Sequence, residues 1–489
     1  MLKLDYARVV KVGFAFVIVM VFWEVYDFAV PLMLERTYGL SASWRGLIMG
    51  LDNILAVFLL PLFGALSDRS KGKYLGRRTP FILFGTILAG LLAITLTLIE
   101  NHEFQKLCDD GVKNISVLVE KGYLDPKFLD PIYDGITNSS PLYEGYIQAL
   151  NDARVSMALA NTIKNPTSLI LFIFVLLLLL ISMSSFRSPA VALMPDVVTK
   201  NLRSQGNAVV NFMGGVGGFL SIGLYSFFAP EYGSYVNLFL LLVCVMFIFL
   251  LLFLWLVDEN KLVSLRYNEE QKYGIIDEEE VENNQKLSKG KAISLILILA
   301  SIFFWFMGYN AVRSHLSVYA TSDLGMSSAG VGAINFANGL GGALALLPAA
   351  MLSTKIGRKY SSIVGYSLAV VAFLPCMFVT PKTSYILGIS FVVAGLGLII
   401  VNINTLPMVV ELSKGSNVGK YTGYYYVATM AAQAITPFLV GLIMENIADN
   451  LMFIYASVCI FIALIIMIFV KHGNTKPTKS QAKQDMLDS

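Results

Sequence analysis

Four ionisable side chains stand inside long apolar stretches of this chain, where a charge is costly and marks a functional site by default. Glu24 and Asp27 are three residues apart and share one face of a helix. Asp52 and Arg313 lie in two further stretches. A carboxylate in such a place can take up and release a proton, and a guanidinium can neutralise it or bind hydroxyl groups. The competing interpretation is a static ion pair of Arg313 with Asp27 or Glu24 that only orients the helices.

Aromatic and amide side chains accompany these charges. Aromatic faces suit the C–H surfaces of a sugar, and amides pair with its hydroxyl groups. An aromatic stripe in a membrane helix is also ordinary packing, whereas an amide that faces lipid is unfavourable. The candidates for binding a small molecule are Trp23, Tyr26, Asn53, Tyr309, Asn310, Asn335, Asn338, Asn404 and Gln433.

The composition places these residues in a membrane. Of 489 residues, 56% are hydrophobic and 14% are charged, whereas a soluble domain has about 25% charged residues. The net charge of +3 gives no basis for binding nucleic acid. The four cysteines have no metal-ligand spacing, and no nucleophile–base set accompanies the three histidines. We therefore expect neither an enzyme nor a bound metal or cofactor.

Twelve apolar runs are long enough to cross a bilayer, which takes about 20 residues. They form two groups of six, so the sequence predicts an all-α membrane protein with twelve transmembrane helices in two six-helix pseudo-repeats. The runs are 10–34, 44–67, 80–99, 167–187, 205–229 and 235–257, followed by 292–320, 328–352, 360–380, 384–408, 421–443 and 450–470.

The loops differ in positive charge. Lys and Arg collect on the side that holds both termini, and the short loops at 230–234, 321–327 and 444–449 contain none. Positive loops stay in the cytoplasm. We therefore expect a multi-pass protein of the plasma membrane with both termini cytoplasmic.

Two segments fall outside lipid and divide the chain. An outer insertion, residues 100–166, interrupts the first half (1–257), and a linker (258–291) precedes the second half (292–470) and a cytoplasmic tail (471–489). The insertion mixes charged and apolar residues, which predicts short helices over the outer face. Asn114 and Asn138 each begin an N-x-S sequence. Such a sequence is an acceptor for N-glycosylation, and it also occurs by chance. The linker carries four consecutive acids at 277–280 and is expected to join the halves flexibly.

The turn between the second and third runs has a specific pattern. Residues 64–69 read Gly-Ala-Leu-Ser-Asp-Arg, and Gly-Arg-Arg follows at 76–78, with further cations at Lys71 and Lys73. This pattern resembles the signature between the second and third helices of the major facilitator superfamily. The resemblance implies a transporter whose two halves rock about a substrate site near the midplane.

A degenerate copy of this turn at 353–359 indicates a duplication. Gly76 and Gly357 are 281 positions apart, whereas the matching prolines Pro195 and Pro407 are 212 apart. The difference of 69 is close to the length of the outer insertion, which lies between these landmarks in the first half only. One duplication and one insertion explain both offsets.

Three further stretches resemble the sucrose-transporter-like sugar symporters, which are related to the glycoside–pentoside–hexuronide cation symporters. They are residues 50–54 with 61–68, 187–196 with 203–208, and 305–311. The resemblance implies a monomer that carries a disaccharide or glycoside with protons, driven by the proton gradient; sodium is the alternative ion. The chain departs from this branch at Val312 and Arg313, where the branch commonly has an acid.

Two other functions compete with sugar symport. One is a sodium-coupled or uncoupled carrier of a lysolipid, drug or other small amphiphile, which a wide apolar cavity open to the bilayer would favour. The other is a receptor that does not transport and uses the outer insertion to bind its ligand.

Charges and glycines near the span ends predict how the halves move. A bridge network on the cytoplasmic side is expected to latch the outward-open state; its members are Asp68, Arg78, Asp196, Arg203 and Glu411. Glycines in the fifth span (Gly214, Gly215, Gly217, Gly218) and in the eighth (Gly339, Gly341, Gly342) are expected to let these two helices pack closely across the halves.

Overall fold

The computed structural model shows twelve helices long and apolar enough to cross a membrane. It describes residues 4–70, 72, 75–133, 140, 142–199, 202–273, 288–412 and 418–474, and regular structure in these ranges is helical throughout. The predicted all-α membrane fold is confirmed. Several predicted features lie outside the described residues, namely Lys71, Lys73, the Asn138 sequon, the acids at 277–280 and the tail from 475 onward.

The spans fall into two groups of six along the chain. The first half contains α1 (Tyr6–Arg36), α2 (Ala42–Arg69), α3 (Thr79–Asp109), α6 (Thr167–Val197), α7 (Arg203–Phe228) and α8 (Val236–Leu256). The second half contains α10 (Lys289–Val318), α11 (Ser328–Ile356), α12 (Arg358–Phe373), α13 (Tyr385–Leu412), α14 (Val418–Asn446) and α15 (Leu451–Ile468). Three helices lie outside the spans: α4 (Ile115–Glu120), α5 (Tyr143–Lys164) and α9 (Glu259–Tyr273).

The bundle has two ends with different character. We call the end with the turn after α2 the motif end, and the opposite end, which holds the 100–166 segment, the insertion end. Each half has its own buried core. Phe22, Phe186 and Phe239 belong to the first core, and Trp305 and Tyr366 belong to the second. The two halves are thus packed as units and meet along a narrower surface.

Backbone contacts close the insertion end. A Cβ atom added to Gly46 of α2 would lie 2.0 Å from the carbonyl oxygen of Pro437 in α14, and one added to Gly50 would lie 2.5 Å from that of Ala434. Between α7 and α11, a Cβ on Gly332 would lie 2.1 Å from the hydroxyl of Ser226. The halves touch here with no room for a side chain.

The motif end is open. Among the described residues, the hydrogen bonds that join the two halves lie at the insertion end or midway along the spans, as with Asn151 to Ser322 and Asn335 to Tyr225. Gly423, toward the motif end of α14, has no atom within 4 Å of an added Cβ. The structure therefore represents a state closed at the insertion end and open at the motif end.

The internal repeat extends to the capping of single helices. Gly76 and Gly357, which precede α3 and α12, both have φ of 92°, a value that favours glycine. The Glu259 carboxylate accepts hydrogen bonds from the backbone N–H groups of residues 77–79 at 2.7–3.0 Å. In the second half, Oδ1 of Asn474 accepts from the N–H of Lys359 at 3.1 Å. In each half, a residue beyond the sixth span thus satisfies the free amides of the third.

The insertion is helical, but the prediction of short helices holds only in part: α4 has 6 residues, α5 has 22, and residues 100–109 continue α3. Its α4 and α5 enclose a small core with Leu107, Phe128 and Met157 at its centre. The side-chain amide of Asn151 on α5 donates to the carbonyl of Ser322 at 2.8 Å, in the π-helical turn that follows α10. The insertion therefore touches the second half as well as the first.

The flexible linker prediction is wrong for residues 259–273, which form α9. The guanidinium of Arg8 in α1 donates to both carboxylate oxygens of Glu269, at 3.0 and 2.6 Å. Arg266 donates to the carbonyl oxygen of Pro195 at 3.4 Å. Helix α9 is docked on the first half because two-pronged charge pairing and the Glu259 cap fix its position.

The glycine prediction for the fifth and eighth spans is also wrong about the partner. A Cβ on Gly217 would lie 2.8 Å from the carbonyl of Val17 in α1, and one on Gly341 would lie 2.0 Å from that of Val392 in α13. These glycines pack inside their own halves. Gly215 and Gly339 have open space in front of them, because both line the cavity described below.

The close contact of α2 with α14 gives a testable prediction. Gly46→Val forces the two backbones apart, which costs about 1–3 kcal/mol and lowers the ratio of closed to open molecules at the insertion end by about 5- to 150-fold. Spin labels on cysteines replacing exposed Trp44 and Ile447, in a chain freed of native cysteines, report the distance. We expect a longer-distance population in this variant.

Gly423→Val is the matched control, since it makes the same change in α14 where a Cβ meets no atom within 4 Å. Equal distance distributions in the two variants would show that the glycine contact does not hold the insertion end closed.

Candidate functional site

A cavity of about 370 Å³ lies between the halves, bounded by α1, α7, α10, α11, α12 and α13. Six of the residues singled out from the sequence line it: Glu24, Asp27, Tyr309, Arg313, Asn335 and Asn338. They come from helices of both halves. The rest of the wall is mostly apolar, with Phe28, Phe219, Phe373 and Phe391 among its side chains.

Arg313 joins the halves within this cavity. Its Nη2 lies 3.0 Å from Oε1 of Glu24 and 3.0 Å from Oδ2 of Asp27, and its Nε donates to the same Asp27 oxygen at 3.2 Å. The two acids belong to α1 and the arginine to α10, the first span of each half. The arginine side chain is 47% exposed because it faces the cavity. One cation thus holds two acids that would otherwise repel each other.

Two hydrogen-bonded pairs supply neutral polar groups to the wall. The hydroxyl of Tyr309 donates to Oδ1 of Asn338 at 3.0 Å. The amide of Asn335 donates to the hydroxyl of Tyr225 in α7 at 2.9 Å, which is a second link between the halves. The Asn338 amide also donates to the Tyr309 hydroxyl at 2.7 Å and to the carbonyl of Phe391 at 3.4 Å, so its remaining capacity is on its carbonyl oxygen. The carbonyl oxygen of Asn335 is likewise an acceptor.

A second polar cluster lies on the first half, around Asp52. Its Oδ1 accepts from both the backbone and the side-chain N–H of Asn53 at 2.6 Å. Arg187 of α6 interacts electrostatically with Asp52 and Asp27 and lies over the ring of Trp23, 5.5 Å from its centroid. The structure gives Arg187 no ion pair within 4.0 Å among the described residues.

Two aromatic residues in this cluster have polar atoms that make no hydrogen bond to any described residue. The hydroxyl of Tyr26 and the indole N–H of Trp23 are buried with no hydrogen-bond partner. A buried polar group without a partner is rare and calls for an explanation. These two side chains do not line the cavity of about 370 Å³, so the predicted stacking against a bound molecule is not seen for them.

Arg187 is the functional candidate that sequence reasoning missed. It ends an apolar run, and the rule that selected Arg313, a charge at membrane depth, applies equally to it. Arg187 was overlooked because it belongs to the stretch 187–196, which was considered only for its resemblance to a family.

Six of the nine predicted binding residues lie outside the cavity lining: Trp23, Tyr26, Asn53, Asn310, Asn404 and Gln433. Asn404 is fully buried, donates to the carbonyl of Ile400 at 2.7 Å and accepts from the hydroxyl of Ser353 at 2.7 Å. Asn310 donates to the carbonyl of Gln433 at 3.2 Å, and the Gln433 amide donates within its own helix. The structure therefore gives Asn404 a packing contact between α11 and α13.

The charges of the predicted latch pair within their own halves. Arg78 lies 2.5 Å from Asp68 and 2.9 Å from Asp196, while Arg358 lies 3.1 Å from Glu411. Arg203 has no ion pair among the described residues. In the part of the chain that the structure describes, the ion pairs of these charges stay within one half, and the motif end is open. A network between the halves in the opposite state stays a prediction.

A polar cluster at the insertion end was not predicted. Arg45 lies 3.1 Å from Glu35, and the hydroxyl of Ser322 in the second half donates to Glu35 at 2.7 Å. Ser43 donates to Glu445, again across the halves. Charged residues are common at the ends of membrane spans, so nothing in the sequence singled out these residues.

Within the described ranges, no three His, Cys, Asp or Glu side chains come together as metal ligands. The polar groups that line the cavity include carboxylates, a guanidinium, amides and the phenol of Tyr309.

Comparisons with known proteins agree with this geometry. The family model described as Major Facilitator Superfamily matches residues 155–333 and 298–486, and the one described as MFS/sugar transport protein matches residues 10–103. A sequence search of curated proteins gave no match.

Solved structures share the fold at low identity. A bacterial homologue of the iron transporter ferroportin, in its inward-facing state, has a TM-score of 0.59 at 13% identity over 95% of this chain and 99% of that chain. The xylose transporter XylE of E. coli, in its inward-open conformation, has a TM-score of 0.58 at 14% identity over 98% of this chain and 97% of that chain. The nucleoside transporter NupG has a TM-score of 0.55 at 11% identity over 95% of this chain and 100% of that chain.

These identities show the fold alone, whereas the first family model covers well over half of the sequence. With twelve membrane-spanning helices in two groups around a central cavity, the chain belongs to the major facilitator superfamily of membrane transporters.

Proposed function

We propose that this transporter is a secondary active symporter that carries a sugar, a disaccharide or glycoside, together with protons across the plasma membrane. The observation that carries the proposal is the bridge from Arg313 in one half to Glu24 and Asp27 in the other, inside the cavity. The motif end, with both termini, is assigned to the cytoplasm by the positive-inside rule. The state described is then open to the cytoplasm.

The bridge supports proton coupling because a proton and a guanidinium compete for the same carboxylate. When Asp27 or Glu24 takes up a proton, it loses its charge, and the attraction that ties α1 to α10 weakens. Removing one partner of a buried pair is costly unless another group replaces it. Rocking of the halves is then conditional on protonation or on a substrate that takes the place of the lost partner.

Asp52 provides a second proton site on the first half. Its Oδ1 is held by Asn53, and its charge faces that of Arg187 without a direct ion pair. A carboxylate so placed can change charge without breaking a contact between the halves. We therefore assign Asp52 to proton uptake, with Arg187 setting its electrostatic environment.

The cavity wall fits a sugar in type and size. Arg313, Asn335, Asn338 and Tyr309 offer donors and acceptors for hydroxyl groups, and the exposed Phe219 offers an aromatic face. The volume of about 370 Å³ falls within the range of about 300–1,000 Å³ found for small-molecule sites. One structural neighbour is a D-xylose-proton symporter, which supports the same substrate class.

The apolar part of the wall supports a second candidate, a carrier of a lysolipid or other small amphiphile. Phe219, Leu316, Phe391 and Leu398 supply apolar surface to the same cavity as the charged groups. A molecule with a polar head and an apolar tail would find contacts for both of its parts. Sodium coupling or uncoupled movement belongs with this alternative.

Transport by reconstituted protein tests the proposal. Proteoliposomes with an imposed proton gradient are expected to accumulate a labelled disaccharide, and dissipating the gradient is expected to abolish accumulation. Asp27→Asn and Asp52→Asn should each lower accumulation at least about tenfold, equivalent to about 1.4 kcal/mol of lost driving interaction. Both should retain exchange of labelled for unlabelled sugar, which needs no net proton movement.

Glu120→Gln is the control, since it makes the same kind of change at an exposed position of the insertion. Accumulation that ignores the proton gradient and both aspartate variants would sink the symport mechanism. Uptake of lysophosphatidylcholine with no uptake of any sugar would establish the second candidate instead.

The two kinds of asparagine provide a separate test. Asn338→Ala removes a cavity hydrogen bond worth about 0.5–1.5 kcal/mol, so the transport KM should rise about 2- to 12-fold. Its melting temperature should fall as well, because the Asn338 amide also bonds Tyr309 and the carbonyl of Phe391. Asn404→Ala leaves the buried Ser353 hydroxyl without this partner, so it should lower the melting temperature and leave KM unchanged. Uptake kinetics and thermal denaturation in detergent measure both quantities; a KM that rises in Asn404→Ala but not in Asn338→Ala would contradict the assignment.

A further inference from the structure

A second, larger cavity of about 680 Å³ lies at the insertion end. Three parts of the protein enclose it. Asn151 and Arg154 come from the insertion, Arg36 and Tyr232 from the first half, and Ser384 from the second half, together with the loop that precedes α11. Because both halves contribute to its wall, this cavity exists in this form only while the insertion end is closed.

Arg154 faces this cavity without a carboxylate partner. Its guanidinium lies over the ring of Tyr232, 4.3 Å from the centroid, and its Nε is buried with no hydrogen-bond partner. No described acid lies within ion-pair distance of it. Burial lowers the pKa of Arg154, and the positive charge of Arg36 acts in the same direction. A half-buried cation left in this condition is costly unless an anion joins it.

Arg36, the second cation of the wall, donates hydrogen bonds to neutral oxygen atoms. Arg36 donates to the backbone carbonyl of Glu231 at 2.5 Å and to the hydroxyl of Tyr235 at 3.4 Å. The side chain of Glu231 lines the cavity but is exposed to solvent. Among the described lining residues, the charged ones are therefore Arg36, Arg154 and the exposed Glu231. Asp152, Asp323 and Glu35, which interact electrostatically with one another, are not part of the lining.

The start of α11 adds to the positive charge of Arg36 and Arg154. Ser327, Ser328 and Gly330 line the cavity, and they form the N-terminus of a 29-residue helix. The amides there carry partial positive charge. This contribution supplements the two guanidinium groups, on which the argument rests.

We propose that this cavity binds an oxyanion, the phosphate or carboxylate group of a small molecule or of a lipid head group, with Arg154 as its principal partner. The occupant bridges the insertion and the two halves. It therefore stabilises the state that is closed at the insertion end and open at the motif end, and it acts on the transport cycle from a place separate from the central cavity.

Binding of inorganic phosphate to the full-length protein in phosphatidylcholine nanodiscs tests this site, at constant ionic strength and by calorimetry. Wild-type protein is expected to bind phosphate saturably. Arg154→Gln should weaken binding at least about tenfold, equivalent to about 1.4 kcal/mol, and Arg154→Lys should retain part of it. Lys164→Gln, which removes an exposed cation from the same helix, should leave binding unchanged.

Two further experiments identify the source of the anion and measure its effect on the conformation of the protein. Nanodiscs that contain phosphatidylglycerol should compete with phosphate when a lipid head group occupies the site, and should leave phosphate binding unchanged when the ligand is soluble. Saturating phosphate should also shorten the distance between labels at positions 44 and 447. A distance that ignores phosphate would overturn the conformational part of the proposal.

Two results would overturn the site itself: absence of saturable phosphate binding by wild-type protein, or equal affinities of Arg154→Gln and Lys164→Gln. If Arg154→Gln does not fold, Ser384→Glu replaces it as the test, because it brings a negative charge to the wall from the second half. Unchanged phosphate affinity in Ser384→Glu would then count against the site.

Discussion

The bridge between Arg313 and the pair Glu24 and Asp27 is the constraint around which the molecule is organised. Three charges at membrane depth are tolerated only while they compensate one another, and here the compensation crosses from α1 to α10. The cavity surrounds this bridge, so the groups available to a ligand are the same groups that join the halves. Any separation of α1 from α10 must supply each charge with a new partner or remove the charge. Binding and motion are therefore linked by electrostatics before any substrate is considered.

The two ends of the bundle solve different problems. At the insertion end, backbone meets backbone through Gly46 and Gly50, a contact that leaves no freedom for a side chain to adjust. At the motif end, Arg78 ties α3 to the ends of α2 and α6, and Arg358 ties α12 to α13, each within one half. These pairs keep each half rigid while the halves move apart. The third span of the first half has the stronger cap, since a carboxylate accepts from its free amides, whereas the side-chain amide of Asn474 does so in the second half.

The sequence predicted the spans and the repeat because both depend on local properties. Apolar length indicates a crossing of the bilayer, and the matching glycines at positions 76 and 357 indicated a duplication; in the structure both have the same φ of 92°. The sequence also identified six residues of the cavity wall, because a polar side chain within a span is unfavourable when it faces lipid. Partners were harder to predict. The glycines at 217 and 341 require a close neighbour, but which helix provides it depends on how each helix is rotated about its axis.

The same limit explains the other misses. Helix α9 has a charged sequence typical of a solvated linker, and only the position of Arg8, 261 residues away along the chain, makes it part of the first half. Arg154 belongs to a segment whose composition predicts short helices and nothing about charge balance. Its unpaired state arises because the insertion folds over a wall that already holds Arg36 and because Tyr232 covers its guanidinium. An insertion that spans both halves must lose the bond from Asn151 to Ser322 when the insertion end opens. A shift of a few kcal/mol is enough to reverse a two-state equilibrium. The contacts of the insertion with the two halves therefore suffice to bias the transport cycle toward one state.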